Sequence, residues 1–161
     1  MSSKRDARGF TLAEMVITVA VLAILVMSAL PLGKTAAKRA DEIELSRSLR
    51  LMREAIDAYK KMADEKKFEF DKDTEGYPPT LQALVEGVEV QDKDAKGKLG
   101  AKKLVKFLRR IPKDPMTNSF DWGLRSYQDE LDSDFWGEEN VYDVYTKSQA
   151  LALDGTRYRD W

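Results

Sequence analysis

Between Phe10 and Leu30 the chain runs 21 residues, FTLAEMVITVAVLAILVMSAL, with a single charge, Glu14. As a helix rising about 1.5 Å per residue, this run would reach roughly 31 Å, enough for a hydrocarbon core of about 30 Å. The uninterrupted part, Met15–Leu30, has 16 residues and is slightly short on its own. Lys4, Arg5 and Arg8 precede the run against one acid, Asp6, a bias that keeps the N-terminus cytoplasmic and sends the rest of the chain across. An ordinary signal peptide, with cleavage near the KTAA of residues 34–37, is the competing reading. It fits less well, because the apolar run exceeds a usual signal core and Glu14 breaks it.

Glu14 is the feature that needs a cause. A carboxylate at membrane depth costs several kcal/mol unless it is neutralised or paired. No cation follows it within the run, and Arg8 lies six residues back, off the i−4 position. A cut between Gly9 and Phe10 would put a free ammonium on Phe10 at that same depth. That ammonium can pair with Glu14 of a neighbouring copy in a low-dielectric setting. A head-to-tail contact of this kind does not close on itself and generates a helical filament.

Composition narrows the chemistry. The 161 residues suffice for about one domain. With 27 basic and 28 acidic residues there is no global field that calls for nucleic acid. The chain has no His and no Cys, so zinc sites of the usual kind, thiol nucleophiles and histidine triads are excluded. Catalysis would have to rest on carboxylates alone, and nothing fixes an acid–base pair; the expectation is a chain that is not an enzyme.

Beyond the apolar run, Leu45, Leu49, Met52, Ile56, Tyr59 and Ala63 alternate in steps of four and three, one stripe of an amphipathic helix. Residues 10 to about 66 therefore read as one long helix with a membrane half and a soluble half, interrupted near Pro31–Gly33, where a proline without an N–H predicts a kink or a melted turn. A short helix should begin at about Thr80, N-capped by Thr80 or by the residue just before it. Residues 88–103 are polar with two glycines and read as a mobile loop. Leu104, Phe107, Leu108 and Ile111 sit at i, i+3, i+4 and i+7, which predicts a second short helix ending before Pro112. Its Lys and Arg residues, with Lys93, Lys96 and Lys98, form the one basic cluster, read as a solvated face or a contact for phosphates or another subunit. The stretch GKLGAKK lacks the spacing of a phosphate loop. DWGLRSYQD (121–129) and NVYDVYTKS (140–148) read as strands, and residues 151–161 close with an Asp–Gly turn and two aromatics, Tyr158 and Trp161.

The segment RGFTLAEMVIT, Arg8–Thr18, resembles the leader region of type IV pilins and type II secretion pseudopilins: a short basic leader, Gly, Phe, then Glu four residues after the Phe. GYPPTLQAL (76–84), RRIPKDPMTN (109–118) and DWGLRSY (121–127) are similar, more weakly, to elements of the major pseudopilins, and the missing cysteine pair suits that branch. The resemblance implies an α+β pilin-like fold, with a long N-terminal helix packed on a small antiparallel sheet with short helices. It implies a leader over 1–9, a transmembrane and assembly helix over 10–33, and a periplasmic domain over 34–161. A prepilin peptidase would cut between Gly9 and Phe10 and methylate Phe10; Glu14 and Pro31 would serve assembly. The implied product is a subunit of a type II secretion pseudopilus that drives protein export across the outer membrane. Its partners would be further copies in a helical filament, minor pseudopilins, and an inner-membrane platform with its ATPase; it would sit in lipid and bind no nucleic acid. Open alternatives are a type IV pilin or minor pilin in adhesion or motility, and a signal-anchored periplasmic binding domain. The family's C-terminal region commonly carries calcium, for which Asp132, Asp134, Glu138, Glu139 and Asp143 are weak candidate ligands here.

Overall fold

The computed structural model describes residues 10–93, 99–130 and 135–161, with side chains placed except at 28–33, 91–93 and 99–100. Helix α1, Leu12–Asp64, is followed by α2, Leu81–Glu86, and four strands: β1 Val88–Lys93, β2 Leu99–Val105, β3 Gly123–Arg125 and β4 Asp143–Tyr145. Single 3-10 turns occupy Lys72–Thr74 and Tyr158–Asp160. The architecture is α+β, as expected: one long helix, then two small two-stranded antiparallel sheets with short helices. Contacts divide the chain into two units, Met1–Arg39 and Ala40–Trp161.

The second unit is built on the stripe of α1. Leu45, Leu49, Met52, Ile56, Tyr59 and Ala63 are all buried, with Leu45 and Met52 fully enclosed. Fully burying each large apolar side chain contributes roughly 1.5–3 kcal/mol. The stripe shares one core with Leu81 and Leu84 of α2, Leu108, Trp122, Val141 and Val144 of the strand region, and Tyr158. Helix α2 starts where expected: the Thr80 hydroxyl accepts from the Ala83 amide at 3.3 Å, satisfying one of the free first-turn donors. Strands β3 and β4 fall within the two expected segments and pair in the register Gly123↔Tyr145, Leu124↔Val144, Arg125↔Asp143.

Three expectations are corrected. The loop expected over 88–103 contains β1, which pairs with β2 in the register Val88↔Val105, Glu89↔Leu104 and Val90↔Lys103. Backbone pairing satisfies a polar stretch that offers few apolar side chains, and Val90 anchors it by burying its side chain. The helix expected over 104–111 does not form. Leu104 belongs to β2, and the Phe107 and Leu108 amides both donate to the Leu84 carbonyl, at 3.0 and 2.9 Å. The carbonyl groups in the last turn of α2 lack helical partners, and capturing them turns Leu108 into the core without a helix of its own. Finally, α1 stays helical through Pro31–Gly33, so the melted turn is not formed. Proline's fixed φ is a helical one, and its missing amide bond and the push of its ring on the carbonyl four residues back can be absorbed by bending, without melting a turn.

The segment after β2 is tied down by polar contacts as well. Asp114, fully buried, accepts from the Met116 amide at 2.8 Å and the Thr117 hydroxyl at 2.9 Å, and from Thr146. Trp122 donates its indole N–H to the Pro112 carbonyl at 2.9 Å. At the other end, Glu42 of α1 accepts from the Tyr158 hydroxyl at 2.9 Å and the Leu153 amide at 2.7 Å, which fastens the closing loop to the helix.

Burial, then the hydrogen bond to the Glu42 carboxylate, pushes the Tyr158 phenol up from 10.0 to about 12. The unfolded chain gives up this proton first, so the stability it contributes is complete below pH 10 and drains away as pH climbs through about 12. Thermal melts should show an alkaline loss of stability over that window that Tyr158→Phe flattens; a Tyr158→Phe chain with an unaltered alkaline profile would exclude the assignment.

Candidate processing and assembly segment

The first unit carries the segment that the sequence singles out. Phe10 and Thr11 precede α1, and the Phe10 side chain is 73% exposed. Gly9 lies outside the described residues, but the bond it makes to Phe10 precedes the helix. Thr11 caps α1: its hydroxyl accepts from the Glu14 amide at 3.2 Å, and its carbonyl from the Met15 amide at 3.2 Å. Glu14 thereby becomes the third residue of the helix, and Thr-x-x-Glu is the pattern of a capping box. A carboxylate in the first turn also meets the positive end of the helix dipole, worth about 0.3–1 kcal/mol. This local role escaped the sequence reading, although the four-residue pattern was there to find.

The carboxylate is the only charge from Leu12 to Met27. Along that stretch Met15, Val16 and Ile17 are all exposed, and successive residues lie about 100° apart, so no face of the helix is covered. A helix that is apolar all round belongs in lipid or among other helices. The hydroxyl of Thr18 is satisfied by the helix itself, donating to the Met15 carbonyl at 2.9 Å. The described stretch Leu12–Met27 spans roughly 24 Å, less than a hydrocarbon core of about 30 Å. No helix among the described residues is long and apolar enough to cross a membrane. Pro31 lies within α1, in the part whose side chains are not described.

The expected calcium set falls only partly within the described residues. Asp132 and Asp134 lie outside the described residues, and Glu138 and Glu139 are exposed. Asp143 is committed elsewhere: its two oxygens accept from the Arg53 guanidinium at 2.7 and 3.3 Å, and Arg125 approaches one of them at 3.9 Å. Arg53 also donates to the main-chain oxygens of Val144 and Trp161, at 3.2 and 2.7 Å, so it ties α1 to β4 and to the chain's last turn. Among the described residues no group of three or more carboxylates could hold a metal ion. The flanks of this acidic stretch are joined by protein groups. Asp129 accepts from the Ser126 and Gly137 amides at 2.7 and 3.3 Å, and the Asn140 carbonyl accepts from the Ser126 hydroxyl and the Trp136 indole N–H at 3.1 and 2.8 Å.

No curated protein and no solved structure matches the chain. One family model does, over residues 4–30, from the basic leader to the end of the apolar run; it is described as the prokaryotic N-terminal methylation motif. The capped, lone acid at the head of a helix apolar on every face therefore sits inside that motif, and the chain carries the N-terminal signature typical of type IV pilin-like proteins.

Proposed function

We propose that the chain is a structural subunit of a type II secretion pseudopilus. Cleavage between Gly9 and Phe10 removes the leader, Phe10 is methylated, and the helix over 10–33 holds the subunit in the inner membrane with residues 34–161 in the periplasm. Copies polymerise through that helix, and an ATPase acting through the membrane platform supplies the energy, so this chain performs no catalysis. Glu14 carries the reading: a carboxylate at the third position of α1, the only charge from Leu12 to Met27, four residues after Phe10 and inside the span that matches the methylation motif. The ammonium created on Phe10 of one copy is its counter-charge in the next, and methylation preserves that charge.

The same motif introduces type IV pilins, so a pilin or minor pilin is the second reading. Residues 111–115, IPKDP, and the absence of Cys favour the secretion branch. In this chain the Asp of that turn is the buried, hydrogen-bonded Asp114.

Capping and pairing are separable. Glu14→Gln keeps a side chain suited to a capping box but loses the charge, whereas Glu14→Ala loses both. Both variants should insert in the membrane normally and lower filament yield about tenfold, the equivalent of about 1.4 kcal/mol. Sheared-filament yield from cells expressing each variant measures this. Wild-type yield from Glu14→Gln would leave Glu14 as a cap and remove the pairing.

A further inference from the structure

Charge in the second unit is segregated along the chain, although the whole chain is nearly balanced at 27 basic and 28 acidic residues. Between 102 and 113 stand six basic residues and no acid; between 129 and 143 stand seven acids and no base. Among the described residues no ion pair joins the two groups within one copy. Lys102 is taken by Glu89 at 2.9 Å, and Asp129 and Asp143 are taken by the amides and guanidinium groups described above. Lys106, Arg109 and Arg110 are exposed, as are Glu130, Glu138 and Glu139, and among the described residues none of these six makes a hydrogen bond or ion pair.

Both groups are displayed on fixed backbone. Arg109 and Arg110 follow the buried Leu108, whose amide is bonded to Leu84, and precede Pro112, whose carbonyl is bonded to Trp122. Glu138 and Glu139 lie between Gly137, held by Asp129, and Asn140, which is fully buried and bonded to Ser126 and Trp136. Charges held this way lose little backbone freedom on meeting a partner. Two complementary patches at different places on one surface make a heterologous contact, the kind that propagates instead of closing.

Resting on the reading that the chain polymerises, we infer that the basic patch at Lys106, Arg109 and Arg110 docks on the acidic patch at Glu130, Glu138 and Glu139 of a second copy. The contact lies outside the apolar helix and sets which copies become neighbours. At physiological ionic strength charges are screened beyond about 8 Å, so the patches act at contact range and not as a long-range field.

The cysteine-free chain allows a direct test. Full-length copies carrying Arg110→Cys and copies carrying Glu138→Cys are produced together and treated in isolated membranes with a short bis-maleimide. The mixed cross-link should exceed either like-with-like cross-link about fivefold and fade in about 1 M salt, where the screening length shrinks to about 3 Å. Like-with-like products at equal frequency would overturn the docking. In parallel, Lys106→Glu, Arg109→Glu and Arg110→Glu together should lower filament yield about tenfold, and adding Glu130→Lys, Glu138→Lys and Glu139→Lys to the same chain should restore it. All six positions are exposed, so the fold tolerates the exchange. No restoration is the result expected if the basic patch instead binds a lipid headgroup or another polyanion, and it overturns the proposal. The N-terminal mass of the same samples separates the two levels: methylated Phe10 without restoration defeats the docking alone, whereas an uncut N-terminus defeats the polymerisation on which it rests.

Discussion

A Gly9→Val chain should remain at its full 161 residues and accumulate in the membrane, with filaments reduced about a hundredfold or more. Two physical effects combine. A peptidase must lay the backbone around the Gly9–Phe10 bond into its cleft, and a β-branched side chain both fills the space left by a hydrogen atom and stiffens the backbone. Without the cut, Phe10 keeps a neutral amide in place of an ammonium, and Glu14 of the next copy faces the bilayer uncompensated, a cost of several kcal/mol. Lys4, Arg5 and Arg8 also stay attached, and their positive charge holds the end of the helix at the cytoplasmic surface. Gel mobility and intact mass of the membrane fraction give the answer. A Gly9→Val product that still shortens by nine residues would move the cleavage site elsewhere.

Gly87→Ala should destabilise the Ala40–Trp161 unit by about 3 kcal/mol or more, the largest effect expected from removing no contact at all. Gly87 ends α2 with φ 84° and ψ 177°, a region that side chains other than hydrogen scarcely enter. A methyl group there would stand 2.3 Å from the Val105 carbonyl oxygen and 2.9 Å from its carbon. Both are backbone atoms at the end of β2, so no rotamer change relieves the clash. Relief requires α2 to part from β2, which pulls the Phe107 and Leu108 amides off Leu84 and lifts Leu108 from the core. Gly155 is the internal comparison: it too has positive φ, 88°, but a methyl group added there meets nothing within 4 Å. Alanine at 155 should therefore cost only about 1 kcal/mol of backbone strain. Urea titration of the full chain in detergent, followed by fluorescence of the buried Trp122, measures both. Equal midpoints for the two variants would contradict the clash.

Features encoded by local periodicity were legible in the sequence. The stripe from Leu45 to Ala63 could be read because a single helix buries one face, and every residue named in it is buried. Thr80 could be read because capping involves a side chain and an amide only three residues apart. The two short strands stand where Val and Tyr are bracketed by turn formers. What escaped depends on partners distant in sequence. Phe107, Leu108 and Ile111 carry helical spacing, yet the carbonyl of Leu84, more than twenty residues away, captures the amides of Phe107 and Leu108 first. Strands β1 and β2 mix polar and apolar residues in equal measure and their pairing is made by backbone, which leaves little trace in hydropathy.

The candidate site divides the same way. Gly9, Phe10 and Glu14 stand within one short stretch of the chain, inside the residues 4–30 that match a family model, so the sequence alone singles them out. The capping by Thr11 is equally local and was overlooked because the acid was considered only as a charge in lipid. Composition does not reveal commitment: Asp143, one of the acids named for calcium, is held by an arginine ninety residues earlier in the chain. The same blindness to partners hid that Glu138 and Glu139 are exposed and, among the described residues, without an ion pair.

The claim on which assembly depends is that proteolysis creates the cation needed by Glu14, and intact-mass and N-terminal peptide spectrometry of the chain purified from membranes tests it most directly. The account predicts a chain nine residues shorter than the 161-residue precursor, starting at Phe10 and carrying one added methyl group on that amine. A purified chain that starts at Met1, or at any residue beyond the apolar run, would contradict it.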